Sequence, residues 1–264
     1  QQKKQINKGI KMNKTPRVVV ITGGGSGIGL DASLRFGQLG DTIIIIGRTE
    51  SKLKDVQSRI RNNGGKCIYF TGDVANPTFV NQATNEIIKK YKNIDILVNN
   101  AGHSSKNRNT ENTTLEDVVN VFNSNLLGTV LFTQAVLPNM KKVNKGLIVN
   151  VSSVAGLSGS LIAGLSYGAA KAGVINFTEY LNAELKSTMI KATAIMPGEV
   201  DTPIMDNRPV VPSDDSRASM AKSADVAETI VFLASLSNTT SIHAMTIMPN
   251  KLRDTSAELI LPKD

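Results

Sequence analysis

From residue 17 onwards, short apolar runs rich in β-branched residues alternate with longer segments whose apolar residues recur at helical spacing. The strand-like runs lie at 18–22, 42–46, 66–70, 94–98, 147–151, 191–196 and 242–247. The helix-like segments between them include 51–62, 77–91, 115–141, 167–184 and 225–234. Strands that alternate with helices pair in parallel through right-handed crossovers and carry helices on both faces of the sheet. The alternation therefore predicts an α/β fold with one doubly wound parallel sheet of about seven strands.

The composition favours a single domain. The chain has 264 residues, of which 41% are hydrophobic, and no linker interrupts the pattern after residue 14. Residues 1–14 carry five lysines and no acidic residue, and they supply much of the net charge of +8. We expect residues 1–14 to form a disordered tail and residues 15–264 to form the domain. The remainder is only modestly basic, so no nucleic-acid surface is expected.

Two further properties bear on where the protein acts. The longest aliphatic run, 43–46, is far shorter than the roughly 20 residues of a membrane-spanning helix. Cys67 is the only cysteine, which excludes an internal disulfide framework and favours a reducing compartment. We therefore expect a cytoplasmic protein without a membrane span, and we predict no metal site.

A glycine-rich segment, Thr22-Gly23-Gly24-Gly25-Ser26-Gly27-Ile28-Gly29, follows the first predicted strand and opens the first helix. Glycines in such a segment permit a sharp turn, let the backbone approach a pyrophosphate, and let the helix pack on the strand. Phosphates then lie at a helix N-terminus, where free N–H groups and the helix dipole favour anions. A flexible turn is the alternative, but the position at the first strand-to-helix junction favours a dinucleotide site.

The end of the second strand distinguishes the two nicotinamide dinucleotides. A site for NAD commonly has an acidic residue there, whereas an arginine accommodates the 2′-phosphate of NADP. This chain has Gly47-Arg48-Thr49, with no acid before Glu50. The pattern predicts NADP(H), with Arg48 as the phosphate ligand. The alternative is that Arg48 is a solvated charge.

Tyr167 and Lys171 lie four residues apart in a predicted helix, so their side chains share one face. A free tyrosine has a pKa near ~10, and a nearby lysine is expected to lower it by favouring the phenolate. Ser152 and Ser153 follow an apolar strand, which places hydroxyls at the strand edge where such sheets bind ligands.

This set of motifs resembles the short-chain dehydrogenase/reductase family over about residues 16–248. The resemblance implies a Rossmann-type domain that transfers a hydride between NADP(H) and a carbonyl or alcohol carbon of a small substrate. It implies cofactor contacts from Gly23, Ser26, Gly27, Ile28, Gly29, Arg48, Asp73, Val74, Asn100, Ala101, Gly102, Tyr167, Lys171, Pro197, Gly198, Val200 and Thr202.

The resemblance also assigns roles to four catalytic residues. Tyr167 would be the general acid in reduction and the base in oxidation, and Ser153 would hydrogen-bond the substrate oxygen. Ser152 competes with Ser153 for that role. Lys171 would hold the nicotinamide ribose while tuning Tyr167. Asn125 would keep a helix kink and a water that extends a proton relay to Lys171.

The substrate side departs from the family pattern. The chain lacks the Val-Asp-Gly-Gly ending of many members, and its ending resembles that of members acting on small aldehydes or short hydroxy acids. His103 is interpreted as a loop residue rather than a catalyst. Glu199 either faces the substrate or caps a loop, and 201–219 is predicted to be a substrate lid.

The resemblance implies a homotetramer or homodimer that pairs through its long helices, and the segment 115–141 has apolar residues on more than one face. Two other functions remain open from the sequence. One is a non-catalytic NADP(H)-binding sensor, which needs the glycine turn but not the Ser-Tyr-Lys set. The other is sugar epimerisation on the same fold.

Overall fold

The computed structural model describes residues 15–259, so the tail predicted at 1–14 lies outside the described residues. One sheet of seven parallel strands has the order β3-β2-β1-β4-β5-β6-β9. Its strands are β1 Val18–Thr22, β2 Thr42–Gly47, β3 Lys66–Thr71, β4 Ile96–Asn99, β5 Gly146–Val151, β6 Ile190–Pro197 and β9 Ala244–Ile247. The predicted doubly wound α/β fold is confirmed.

Helices cover both faces of the sheet. They are α1 Gly27–Gln38, α2 Glu50–Asn62, α3 Pro77–Tyr91, α4 Leu115–Phe122, α5 Gly128–Val143, α6 Leu165–Glu184, α7 Asp214–Ala218 and α8 Ser223–Ser235. No helix within residues 15–259 is both long enough and apolar enough to span a membrane.

The core consists of two apolar clusters, one on each face of the sheet. Strand β2 shows how the sequence builds both, because alternate side chains of a strand point to opposite faces. Ile43 and Ile45 belong to one cluster, and Ile44 and Ile46 belong to the other. A strand buried on both faces therefore has a continuous apolar run rather than an alternating one.

The long helix predicted at 115–141 is helical from Leu115 to Val143, but it is not a regular α-helix throughout. Between α4 and α5 the chain makes a π-helical turn, Asn123–Leu127. The Asn125 side chain lies inside this turn, and its Nδ2 donates to the Val121 and His103 carbonyls, each at 2.8 Å. Such turns occur where a side chain bonds into the helical ladder, and they often mark functional sites.

The segment predicted to be a lid, 201–219, contains short ordered elements instead of a plain loop. Strand β7 Val200–Asp201 pairs in parallel with β8 Ala221–Lys222. A 3₁₀ turn, Pro203–Asn207, and helix α7 lie between them. Residues 203–207 line the rim of the main cavity, so the segment is placed where a lid would act.

Candidate active site

The carboxyl ends of the central strands surround a cavity of about 550 Å³. Every residue that the sequence predicts to contact cofactor or substrate lines this cavity, with the exception of Gly29. Residues from eight sequence segments thus meet at one edge of the sheet, which is where open α/β sheets bind ligands.

The glycine turn owes its shape to positions that a side chain would disrupt. Gly23 and Gly27 have φ angles of +66° and +51°, in the left-handed region that favours glycine. A Cβ on Gly29 would lie 2.4 Å from the Gly23 carbonyl oxygen and 2.5 Å from Asn100 Nδ2. Gly29 therefore lies behind the cavity wall, where it lets helix α1 pack against the turn. The resulting backbone cradle, with the unpaired N–H groups of α1 beside it, fits a pyrophosphate.

The segment after β4 is tied to this turn by hydrogen bonds. Asn100 Nδ2 donates to the Thr22 carbonyl at 3.1 Å and to the Gly23 carbonyl at 3.3 Å. In return, Thr22 Oγ1 accepts from the backbone N–H groups of Asn100 and Ala101, both at 3.0 Å. The two predicted cofactor motifs therefore form one rigid unit.

Arg48, Lys52 and Asp73 line one end of the cavity. The sequence reasoning missed Lys52, although its position four residues after Arg48 at the start of α2 was a usable signal. The Glu50 carboxylate pairs with Lys54 at 3.0 Å and accepts from the Tyr69 hydroxyl at 3.1 Å, and Glu50 does not line the cavity. This end is therefore rich in cations.

His103 belongs to this cation-rich end. Burial and the charge of Arg48 lower its pKa, while Asp73 raises it. Its Nδ1 lies 2.7 Å from Ser124 Oγ. The charges that act on His103 are thus those of Arg48 and Asp73, and not that of the proposed catalytic residue Tyr167. This is consistent with the interpretation of His103 as a loop residue.

The two candidate serines differ in what they bind. Ser152 is buried and its Oγ donates to the Lys171 carbonyl at 2.7 Å, so it fastens helix α6 to strand β5. Ser153 Oγ accepts from the Ala155 N–H at 3.2 Å and makes only a long bond, 3.4 Å, to the Pro197 carbonyl. The Ser153 hydroxyl also lowers the pKa of Tyr167. These contacts favour Ser153 as the serine that faces a substrate.

Burial dominates the acid–base properties of Tyr167 and Lys171. It raises the pKa of Tyr167 to about 12, against the opposing effects of Ser153, Arg108 and Arg208. It lowers the pKa of Lys171 to about 8. The Lys171 ammonium lies 5.5 Å from the centre of the Tyr167 ring and donates to the Val151 carbonyl at 2.8 Å. The expected lowering of the Tyr167 pKa is not found, because burial outweighs the groups that lower it, and Lys171 is not among those groups.

Asn125 lies beside Lys171 with an unused acceptor. Its Oδ1 is buried and has no hydrogen-bond partner among residues 15–259. A Cβ on Gly102 would lie 2.3 Å from this oxygen and 3.5 Å from Lys171 Nζ, so glycine is required between them. A buried acceptor without a partner is unfavourable, which makes this atom a plausible anchor for the predicted water.

The segment after β6 also lines the cavity and reaches the glycine turn. Pro197, Gly198, Val200 and Thr202 all line it. Thr202 packs on the turn, since a Cβ on Gly27 would lie 3.1 Å from Thr202 Cγ2.

The sequence left two alternatives for Glu199, facing the substrate or capping a loop, and its side chain instead forms ion pairs. Its carboxylate pairs with Arg208 at 2.8 Å and with Arg253 at 2.7 Å. Glu258 pairs with the same two arginines. Glu199 is therefore part of a four-residue ionic cluster with Arg208, Arg253 and Glu258, and it does not line the cavity.

Comparison with known proteins identifies the family. A family model described as short chain dehydrogenase matches residues 17–210. The 3-oxoacyl-(acyl-carrier-protein) reductase of Thermotoga maritima is 34% identical over 224 residues, which cover 83% of this chain and 90% of the relative. An uncharacterised oxidoreductase of Staphylococcus epidermidis is 30% identical over 88% of this chain and 97% of the relative. The chain belongs to the short-chain dehydrogenase/reductase family of oxidoreductases, whose members use a nicotinamide cofactor.

Solved structures agree with this assignment. A closed form of serine dehydrogenase complexed with NADP⁺ has a TM-score of 0.81 and 29% identity, and covers 94% of this chain and 100% of its own. Actinorhodin polyketide ketoreductase with NADPH has a TM-score of 0.81 and 27% identity, over 89% of this chain and 96% of its own.

Proposed function

We propose that this protein is an NADP(H)-dependent oxidoreductase that interconverts a carbonyl group and an alcohol in a small molecule. The observation that carries the proposal is that Ser153, Tyr167 and Lys171 line the same cavity as the glycine turn. A sensor that only binds the dinucleotide would have no use for a phenol, a hydroxyl and a buried amine at the other end of its cavity.

The cofactor would be held by residues of three kinds. The backbone of Gly23, Ser26 and Gly27 would bind the pyrophosphate, and Arg48 with Lys52 would bind the 2′-phosphate. Asp73, Val74 and the 100–102 segment would surround the adenosine. When bound, the nicotinamide supplies or accepts the hydride. The NADP⁺ and NADPH in the two solved relatives support the choice of NADP(H) over NAD(H).

Proton transfer would be the work of Tyr167. A pKa raised to about 12 by burial keeps the phenol protonated at neutral pH, which suits a general acid in the direction of reduction. Ser153 would hold the substrate oxygen. Lys171 would bind the nicotinamide ribose and, with Asn125, return a proton to the phenol from the side away from the substrate.

The names of the relatives support the reaction class. They include a 3-oxoacyl reductase and a 7alpha-hydroxysteroid dehydrogenase of Bacteroides fragilis, which is 32% identical over 83% of this chain and 87% of its own. Both names describe the exchange of a carbonyl for an alcohol, on substrates of very different shape. We infer the reaction class from them, and not the substrate.

The proposal is tested with a panel of ketones, aldehydes and hydroxy acids, followed by NADPH absorbance. On any substrate that reacts, Tyr167→Phe should lower kcat by about 10²- to 10⁴-fold and leave NADPH binding nearly unchanged. Tyr180→Phe is the matched control, since Tyr180 lies on the same helix and is 64% exposed. A Tyr167→Phe enzyme that keeps more than about a tenth of wild-type kcat would contradict the assignment.

We also propose that the protein forms a homo-oligomer. Leu115, Val119 and Leu127, on α4 and the π-helical turn, are exposed. Phe132 and Val136, which also belong to the apolar segment 115–141, are buried in the protomer's own core. Sedimentation at micromolar concentration should return a species larger than the 28.2 kDa protomer.

A further inference from the structure

Two arginines lie next to the proposed catalytic centre without serving the cofactor. Arg208 follows the 203–207 turn at the rim of the main cavity, and Arg108 lies in the loop between β4 and α4. Both line a second cavity of about 280 Å³. The cavities adjoin, because Asn207 lines the first and its carbonyl accepts from Arg108 Nη2 at 3.3 Å.

Arg108 is fixed in place at the start of the helix that carries Tyr167. A Cβ on Gly164 would lie 2.8 Å from Arg108 Cβ, and the Leu165 N–H donates to the Arg108 carbonyl at 3.0 Å. Its guanidinium donates to four neutral acceptors: the Ser105, Ile162 and Asn207 carbonyls and the Ser104 hydroxyl. It pairs with no carboxylate of residues 15–259, so its charge is not neutralised.

Arg208 is 8% exposed and lines the second cavity. Its Nη1 binds both Glu199 and Glu258. Its Nε and Nη2 make no hydrogen bond to residues 15–259, and this pair of N–H groups is the fork with which arginine binds a carboxylate at two points.

The charges around the second cavity do not cancel. Within residues 15–259, Glu258 is the only acidic residue that lines it, and Glu258 is shared between Arg208 and Arg253. The charge of Arg208 is balanced within the ionic cluster, whereas Lys106 and Arg108 are positive lining residues with no ion pair to residues 15–259. Three asparagines supply further polar groups: Asn107, Asn109 and Asn112. An anion placed there would bind an open arginine fork in a partly desolvated site, where such bonds are strongest.

We infer that Arg108 and Arg208 form a subsite for the carboxylate of a substrate whose carbonyl carbon is reduced beside Tyr167. The substrate class is then an oxo acid and the corresponding hydroxy acid. This inference rests on the proposed function, because it requires the carbonyl reaction at Tyr167. Independent support for the proximity comes from Tyr167 itself, because the charges of Arg108 and Arg208 both lower its pKa.

The test compares oxo acids with their methyl esters, which keep the carbonyl and remove the charge. The acids form a series in which the chain from the reacting carbon to the carboxyl carbon, both included, has two to five carbons. The series tests which distance between the reacting carbon and the carboxylate fits the subsite. For the best acid we expect kcat/KM to exceed that of its ester by about 10- to 100-fold, the range of a charge-assisted hydrogen bond. Calorimetry on the enzyme with NADP⁺ should show the same preference in binding of the acid.

Arg108→Gln should lower the acid-to-ester ratio by about 10-fold or more, in both turnover and binding. Arg108 also forms hydrogen bonds that hold three loops in place, so its removal is expected to lower activity on acid and ester alike. Such losses cancel in the acid-to-ester ratio, which is therefore the deciding quantity. Arg108→Lys keeps the charge and should restore part of the ratio. Lys145→Gln is the control for loss of one positive charge, since Lys145 is exposed and precedes β5 at the opposite edge of the sheet.

Each outcome decides one of the two proposals. An acid that binds no more tightly than its ester, or an Arg108→Gln enzyme that loses both equally, overturns the subsite while the carbonyl reaction stands. An acid that binds with dependence on Arg108, when neither acids nor esters are reduced, supports the subsite as an anion site and overturns the proposed reaction.

Discussion

The proposed nucleotide end and the proposed substrate end of this molecule are built in different ways. At the nucleotide end, glycines and backbone groups create the shape, as with Gly29 against the Gly23 carbonyl and Asn100 against Thr22. At the substrate end, charged side chains from distant segments hold the wall together, as in the Glu199–Arg253 pair, 54 residues apart. The first kind of site depends on backbone shape and on glycine motifs, whereas the second depends on ion pairs between side chains. The two ends should therefore respond differently to substitution.

The largest effect is expected where a side chain would invade the backbone of the nucleotide end. Gly29→Ala would place a Cβ 2.4 Å from a carbonyl oxygen that cannot move without opening the turn. We expect a loss of stability of about 1–3 kcal/mol and the near absence of NADPH binding. Thermal unfolding and fluorescence titration with NADPH measure the two effects.

Gly159→Ala is the matched control away from the main cavity, because no atom lies within 4 Å of the Cβ it would add. Its melting temperature and NADPH affinity should stay at wild-type values. If both glycine variants bind NADPH normally, the backbone does not define the nucleotide end as we describe.

The second prediction concerns Lys171, where the two ends meet. Burial lowers its pKa to about 8, from the usual value of 10.5. Between these pH values the unfolded chain binds more protons than the folded one, so stability rises with pH. The rise amounts to roughly 3 kcal/mol when it is complete, and Lys171→Met should abolish it. Tyr167 opposes it only above pH 10, because burial raises that pKa to about 12 and the folded phenol keeps its proton longer.

Urea unfolding of wild-type and Lys171→Met enzyme at pH 7 and pH 9.5 measures this difference. Lys145→Met, at an exposed position, should follow the wild type. Equal changes with pH in all three proteins would mean that the Lys171 amine is not desolvated.

The smallest effect is expected for a charged side chain at the nucleotide end. Arg48 is exposed and shares its end of the cavity with Lys52, so its removal leaves a second cation in place. Arg48→Ala should raise KM for NADPH by about 10-fold and leave KM for NADH nearly unchanged. Arg59→Ala, an exposed position on helix α2, should change neither. A wild-type enzyme that prefers NADH would contradict the role of Arg48.

Most of the fold could be predicted from the sequence, because strand runs, helical spacing and the glycine turn are local patterns. The resemblance implied a kink at Asn125, but the π-helical form of the turn at Asn123–Leu127 was not predicted, and its Asn125 side chain bonds to the His103 carbonyl, 22 residues away. The residues of the proposed site were found from motifs two to eight residues long. The roles that went wrong, those of Glu199 and of Lys171 toward Tyr167, depend on partners and on burial that a linear pattern does not contain.

The ionic cluster of Glu199, Arg208, Arg253 and Glu258 is completed late in the synthesis of the chain. Glu258 leaves the ribosome 50 residues after its partner Arg208, which at about 5–20 residues per second is a delay of roughly 3–10 s. During that interval the glycine turn, Tyr167 and Lys171 are already available, whereas Arg208 has only Glu199 as a partner. The nucleotide end is therefore able to assemble before the substrate wall is complete. In a nascent chain halted before residue 253, we expect NADPH binding to be closer to that of the complete protein than substrate selectivity is.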